Sequence, residues 1–132
     1  MNLEIFKAYD IRGRYPDEID ESAVQEIVSV ASVHWLKEVE NPIIVVGHDA
    51  RLSSPSLYRA ALQALKQSAL GAKIHAVGLI TAPALYFFVN HFQADGGIII
   101  TASHNPKEYN GLKIVGAKAV PISGEEISRW IT

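Results

Sequence analysis

Ile43-Ile44-Val45-Val46 leaves this chain few choices of fold. Four β-branched apolar residues in a row offer water no polar face. A strand made of them must be covered on both sides, as in the parallel sheets of layered α/β domains. The flanking sequence supplies candidate covers. Residues 21–39 place Val24, Ile27, Val28, Ala31, Trp35 and Val39 at helical spacing, which predicts an amphipathic helix of about five turns. Ser22 and Gln25 read as its capping box and Asn41-Pro42 as its stop. Beyond the strand, Ser53-Ser54-Pro55 supplies a cap and a first-turn proline for a second helix carrying Leu57, Ala61, Leu65 and Ala69, with Gly71 placed to end it.

The alternation continues. Residues 73–78 read as another strand, and Thr81-Ala82-Pro83 opens an apolar third helix through Leu85, Tyr86, Phe88, Val89 and Phe92. Gly96-Gly97-Ile98-Ile99-Ile100 is a second buried strand, and Leu112-Lys113-Ile114-Val115 is the return strand of a hairpin with a long loop. Ser123-Gly124-Glu125-Glu126 is a capping box for a helix that starts at about residue 124 and reaches Thr132. Residues 5–15 form a strand or extended arm that meets a turn at Pro16. Strands alternating with helices predict an α/β layered domain, with a mixed, mostly parallel sheet between helices and the site in loops at the strands' C-terminal ends.

Bulk properties narrow the function. The 132 residues fit one domain, and 48% hydrophobic composition is enough for a core. The net charge of −2 comes from 12 basic and 14 acidic residues with no basic run, which argues against nucleic acid or an anionic membrane as partner. Cysteine is absent, so disulfide frameworks and thiolate metal sites are excluded. Met1-Asn2-Leu3-Glu4 lacks the layout of a signal peptide and no apolar run approaches the ~20 residues that span a bilayer, so the expectation is a soluble, cytoplasmic protein. His34, His75 and His91 are isolated and read as structural.

The chemistry concentrates after Ile100. The isoleucine run breaks into Thr101-Ala102-Ser103-His104-Asn105-Pro106, which delivers the Ser103 hydroxyl to the mouth of the sheet. A neutral serine needs a neighbouring base, or a phosphoryl group already attached. His104 is adjacent, and adjacent residues on an extended chain point apart. No Gly-x-Ser-x-Gly elbow surrounds Ser103, which counts against a serine hydrolase. His104, Asn105, Lys107, Asn110 and Lys113 gather donors of the kind that suit an anion. Lys113 alternates with Leu112 and Ile114, which puts its amine on the side of the polar loop. Arg51 with Ser53 and Ser54 admits two readings, a phosphate held at a helix N-terminus or an Asp49–Arg51 pair bracing its own loop. The second is the simpler, because capping accounts for the serines.

Thr101-Ala102-Ser103-His104-Asn105-Pro106 with Tyr109-Asn110-Gly111-Leu112-Lys113 resembles the phosphoserine loop of the α-D-phosphohexomutases. Phe6-Lys7-Ala8-Tyr9-Asp10-Ile11-Arg12-Gly13 is similar to that family's opening motif, and Val46-Gly47-His48-Asp49-Ala50-Arg51-Leu52-Ser53 to its second loop. Thr101 and Tyr109 favour the phosphomannomutase/phosphoglucomutase branch over the phosphoglucosamine mutases. His48 stands where many relatives carry a basic or small residue.

The resemblance spans the whole chain but covers only the first of the family's four domains. It implies that residues 1–132 are the N-terminal domain carrying the phosphoserine loop, with the downstream metal-binding, sugar-binding and C-terminal domains absent. It further implies interconversion of hexose 6-phosphate and hexose 1-phosphate, of mannose, glucose or both, through a bisphosphorylated sugar. Ser103 would be phosphoryl donor and acceptor and, through its phosphate, a ligand of Mg²⁺; the remaining ligands would be aspartates of the second domain. Glucose 1,6-bisphosphate would be the phosphoryl activator. Lys113 and Arg12 would handle the sugar hydroxyl and the transferring phosphate, His104 and Asn105 would shape the loop, and Tyr9 would line the cleft. The isolated chain is then expected to bind Mg²⁺ weakly and to catalyse little or nothing. The rival from another class is a non-catalytic phosphate-binding α/β module using Ser53, Asn105 and Lys113.

Overall fold

A computed structural model describes all residues, Met1–Thr132. A single six-stranded sheet organises the chain. Its strands are β1 (Ile11–Arg14), β2 (Ile43–His48), β3 (Lys73–Leu79), β4 (Gly96–Ile100), β5 (Tyr109–Gly116) and β6 (Pro121–Ile122). The order across the sheet is β1-β5-β4-β2-β3, with β6 also paired to β5. β2 runs parallel to both β3 and β4, and β5 runs antiparallel to β4, β1 and β6. Only β5 is therefore reversed, and the other strands share one direction. The expected α/β layered domain with a mixed, mostly parallel sheet is the one observed.

Four helices cover the sheet: α1 (Glu21–Glu38), α2 (Ser54–Ser68), α3 (Ala82–His91) and α4 (Gly124–Ile131). Strand alternation divides the core in two. Ile44, Val46, Ile98, Ile100, Leu112 and Ile114 face α1, α2 and α4, which contribute Val24, Ile27, Leu57, Leu65 and Ile127 to the larger cluster. Val45, Ile99 and Val115 face the other way and meet Leu85 and Val89 of α3. The run at residues 43–46 is continuous because each of its faces meets a helical layer. No helix is long and apolar enough to cross a membrane.

Local chemistry departs from expectation at two helix starts. α1 is capped by Asp20, whose Oδ1 accepts from the Ala23 N–H at 2.9 Å, and the expected Ser22–Gln25 box does not form. A carboxylate at that position also meets the positive end of the helix dipole. Ser53 occupies the cap position of α2 yet makes no capping bond, because its hydroxyl and that of Ser54 are engaged elsewhere. α3 and α4 start as expected, with Thr81 and Ser123 as caps. The histidines outside the loops pack on aromatics: His34 stacks on Trp130 at 4.1 Å and His75 on Phe92 at 3.9 Å.

The N-terminal arm is more compact than a continuous strand. A 3₁₀ turn at Leu3–Ile5 leads into a tight reversal in which the Lys7 N–H donates to the Asp10 carbonyl at 2.8 Å, and β1 begins only at Ile11. β1 approaches β5 closely at Gly111, where any Cβ would collide with the Ile11 carbonyl oxygen and the Arg12 Cα. Glycine at 111 is what allows β1 to close this edge of the sheet.

Candidate active site

The C-terminal ends of β2 and β4 lie side by side, and the loops leaving them meet. The Asp49 N–H donates to the Ile100 carbonyl, and the Thr101 N–H donates to the Gly111 carbonyl, both at 2.9 Å. Between β4 and β5 the chain makes an eight-residue loop, 101–108, that projects Ser103 and His104 into solvent. Ser103 has φ +56°, the left-handed region that a residue with a Cβ seldom adopts. Its N–H donates to Thr101 Oγ1 at 3.0 Å, and Asn105 Nδ2 donates back to the Ala102 carbonyl at 2.8 Å. These contacts bend the loop tightly around Ser103.

The chief support of this bend comes from the other loop. Arg51 Nη2 donates to the carbonyl oxygens of Ser103 (2.9 Å) and Asn105 (2.7 Å), and Nη1 donates to those of Pro106 (2.6 Å) and Tyr109 (3.0 Å). Its Nε lies 3.5 Å from Asp49 Oδ2, and the side chain is 15% exposed. Asp49 Oδ1 accepts from the Ser54 hydroxyl (2.5 Å) and the Arg51 N–H (3.1 Å). Beneath them the fully buried Asn110 donates through Nδ2 to Ser53 Oγ (2.7 Å) and Ser54 Oγ (3.0 Å), and its Oδ1 accepts from the Gly111 N–H (2.8 Å). The expected Asp49–Arg51 pair is present, but it braces the Ser103 loop as well as its own. The two serines serve that network and not a helix cap.

A cavity of about 760 Å³ opens on the α3 side of the sheet, between this loop and the start of α3. Ser103, His104, Lys113, Thr101 and Asp49 line it, with Ile99 at its base and Thr81 and Pro83 on the far wall. Lys113 reaches it by strand alternation: Leu112 and Ile114 are in the core, so Lys113 points to the opposite face, where its partner across the sheet is Ile99. Arg12 is on that same face, since it pairs with Gly111, two residues from Lys113. It lies outside the cavity lining, half-buried, with Nε 3.7 Å from Asp10 Oδ1. Tyr9 stands at the tip of the Lys7–Asp10 reversal, 82% exposed.

The ring of donors expected around Ser103 is therefore smaller than the sequence suggested. His104 and Lys113 share the cavity with Ser103; Asn105 is turned back onto Ala102, Asn110 is buried against Ser53 and Ser54, and Lys107 lines a separate hollow with Leu52 and Glu108. The two asparagines satisfy backbone and hydroxyl groups that the folding of two loops would otherwise leave unpaired. Arg51 is the residue whose reach was missed. Its partners are 52 to 58 positions away, and no local spacing signals them. His48 likewise faces inward, donating from Nδ1 to the Asp49 carbonyl at 2.8 Å and tilting against Tyr58.

A second polar cluster lies behind the loops. Glu21 Oε2, at the start of α1, accepts from Tyr15 Oη (2.7 Å) and from the Ser56 hydroxyl (2.5 Å). Burial pushes the Glu21 carboxyl up, but the two hydroxyls, its own backbone and nearby Arg59 outweigh that and leave it below its ordinary 4.5. The hydrogen bond to Glu21, with burial, holds the Tyr15 phenol above its ordinary 10.0.

The family model for "Phosphoglucomutase/phosphomannomutase, alpha/beta/alpha domain I" matches residues 3–132. The chain belongs to this family and corresponds to its domain I. It is 43% identical over 125 residues to phosphohexose mutases of Xanthomonas campestris, a match covering 95% of this chain and 27% of theirs. It is 43% identical over 123 residues to a Klebsiella pneumoniae phosphomannomutase, covering 93% of this chain and 74% of that sequence. Among solved structures, a phosphoglucomutase/phosphomannomutase family protein from Burkholderia thailandensis superposes with a TM-score of 0.86 at 30% identity, over 99% of this chain and 30% of that one. The chain thus spans about a quarter of the length of the Xanthomonas relatives it matches. The phosphohexomutase resemblance carried by the three motifs and the family found by comparison are the same.

Proposed function

We propose that Ser103 is the phosphoryl carrier of a phosphohexomutase that interconverts hexose 6-phosphate and hexose 1-phosphate, with mannose or glucose as the sugar. The observation that carries this reading is the shared cavity: an exposed serine hydroxyl on a braced loop, with a half-buried lysine in the same 760 Å³ space. In the first step the P–O bond to Ser103 Oγ breaks as a bond to a sugar hydroxyl oxygen forms; that hydroxyl loses its proton and the released Ser103 Oγ takes one up. In the second step the other phosphate of the bisphosphorylated sugar returns to Ser103 Oγ, which gives up its proton, while its P–O bond to the sugar breaks and the freed sugar oxygen takes a proton up. Atoms balance over the cycle, and its net result is movement of a phosphate between the two sugar positions.

In this reading Lys113 and Arg12, on one face of the sheet, neutralise the transferring phosphate and manage the sugar hydroxyl's proton. His104 lines the cavity wall, Asn105 keeps the loop bent, and Tyr9 contributes to a cleft wall completed by the rest of the protein. A phosphate on Ser103 would offer Mg²⁺ a hard oxygen ligand. Asp49, the one carboxylate lining the cavity, has both oxygens committed to Ser54 and Arg51, so it is not a free ligand. Mg²⁺ when bound would neutralise phosphoryl oxygens, and its remaining ligands would come from a further domain. On this reading the 132 residues alone bind Mg²⁺ weakly and do not turn over hexose phosphates.

The rival phosphate-binding module has its three groups apart, since neither Ser53 nor Asn105 lines the cavity that Lys113 enters. A hydrolase gains nothing either, as no hydrogen bond joins Ser103 to the His104 ring. Intact-mass measurement with peptide mapping, before and after incubation with glucose 1,6-bisphosphate, tests the proposal. A gain of one phosphate on Ser103 is the expected result. A gain mapped to another residue, or no gain even when the downstream domains of a relative are supplied, overturns it.

A further inference from the structure

Arg51 is the strongest cation near Ser103, yet all its donors point at backbone oxygens and at Asp49, and none toward the cavity. We propose that Arg51 is the positioning residue for phosphoryl transfer at Ser103: its guanidinium fork fixes the backbone from which the Ser103 side chain is presented and withholds its own charge from the phosphate. This inference rests on the reading of Ser103 as phosphoryl carrier.

A trans peptide points its C=O and the following N–H in opposite directions. With the Ser103 carbonyl held on Arg51, the His104 N–H must point away from Arg51, and it has no backbone acceptor. The same contact fixes the peptide that follows Ser103, and the Thr101 hydroxyl fixes the Ser103 N–H from the other side. Ser103 is thereby kept at φ +56°, a conformation it would leave if its neighbours were released. With its backbone pinned on both sides, the direction of its Cα–Cβ bond is set in advance, and Oγ is left only the staggered rotamers about that bond.

A phosphoserine beside a free guanidinium would fold onto it as a bidentate pair and be held as a ground-state complex. Here four carbonyls and a carboxylate occupy the guanidinium. Lys113 is left as the sole lysine or arginine lining the cavity. A lysine at 51 would not substitute, because one compact ammonium with three donors cannot address two pairs of carbonyls as a planar fork does.

The test uses the chain with Arg51→Lys and Arg51→Gln, read by amide hydrogen exchange and by the rate of Ser103 phosphorylation from glucose 1,6-bisphosphate. In both variants we expect exchange of the 101–109 segment to rise about tenfold while α1 and α2 keep their protection. The rate of phosphoryl gain should fall on the order of a hundredfold, with the half-saturating bisphosphate concentration unchanged. Arg51→Lys keeps the charge and most of the stem, so a folded variant is available should Arg51→Gln unfold. Wild-type loop protection in Arg51→Lys, or an equal loss of protection in α1 and α2, overturns the proposal. A wild-type chain that accepts no phosphoryl group even with the downstream domains of a relative supplied would count against the carrier role of Ser103, and the exchange of the 101–109 segment would still decide what Arg51 holds.

Discussion

The Arg51 guanidinium meets the Ser103 carbonyl oxygen at 2.9 Å across 52 residues of chain. That contact joins the loop after β2 to the loop after β4, and it holds because the strands are parallel neighbours whose C-terminal ends come out together. The candidate site is therefore a junction of two loops, with the cavity on one side of Ser103 and the brace on the other.

Ser103→Gly separates stability from function. Glycine adopts φ +56° without steric cost, so urea denaturation should show a stability unchanged or higher by up to about 1 kcal/mol. Phosphate gain from glucose 1,6-bisphosphate should vanish. A variant that still gains one phosphate would show that Ser103 is not the acceptor.

Lys113→Met should leave the fold in place, because the methionine stem covers the apolar surface that the lysine stem covers. Phosphorylation of Ser103 should slow by roughly 10²-fold, the scale for removing one charge-stabilising donor from a transition state. Comparing single-turnover rates for the two chains decides it, and equal rates would remove Lys113 from the transfer step.

Asn110→Ala should be costly. It leaves two serine hydroxyls and the Gly111 N–H short of a partner in the interior, and a buried unsatisfied group costs about 1–3 kcal/mol. The measurement is the shift of the urea midpoint. A shift too small to resolve would mean that water replaces the amide.

Gly111→Ala should be worse, because the new Cβ meets backbone that cannot move aside as a side chain would. We expect a loss of about 3 kcal/mol or more, at the upper end for single substitutions, with exchange rising in residues 11–14 as β1 leaves β5.

Acid should weaken the α1–α2 junction through Glu21. A carboxyl held below its ordinary 4.5 in the fold stabilises the folded chain above that value, and this contribution is lost as the pH falls through the lower folded value. Tyr15 works in the other direction: its raised phenol stabilises the fold below the ordinary 10.0, and that contribution is lost as the pH climbs through the higher folded value. Glu21→Gln should flatten the acid limb of a stability–pH curve, which thermal unfolding at a series of pH values would show.

The layered fold was legible because its signals are local and periodic. The β-branched run at 43–46, the helical spacing at 24, 27, 28, 31 and 35, and the placement of Lys113 between Leu112 and Ile114 each follow from which face of an element must be dry. Alternation was enough to send Lys113 to the face where the cavity lies. Ser103 at the end of a buried strand was legible for the same reason.

The hydrogen-bond partners were not legible. Ser22, Ser53 and Ser54 all carry capping chemistry, yet Asp20 caps α1 while Ser53 and Ser54 belong to Asn110 and Asp49. Each polar side chain had several acceptable partners by residue type, and choosing among them required knowing which loops the sheet brings together. The sequence by itself determined the order and facing of the elements, since burying apolar residues at period 2 or 3.6 has few solutions. The tertiary structure alone decided that Arg51 serves the backbone of the Ser103 loop, because only parallel pairing of β2 and β4 brings a donor fork within reach of four carbonyls more than fifty residues away.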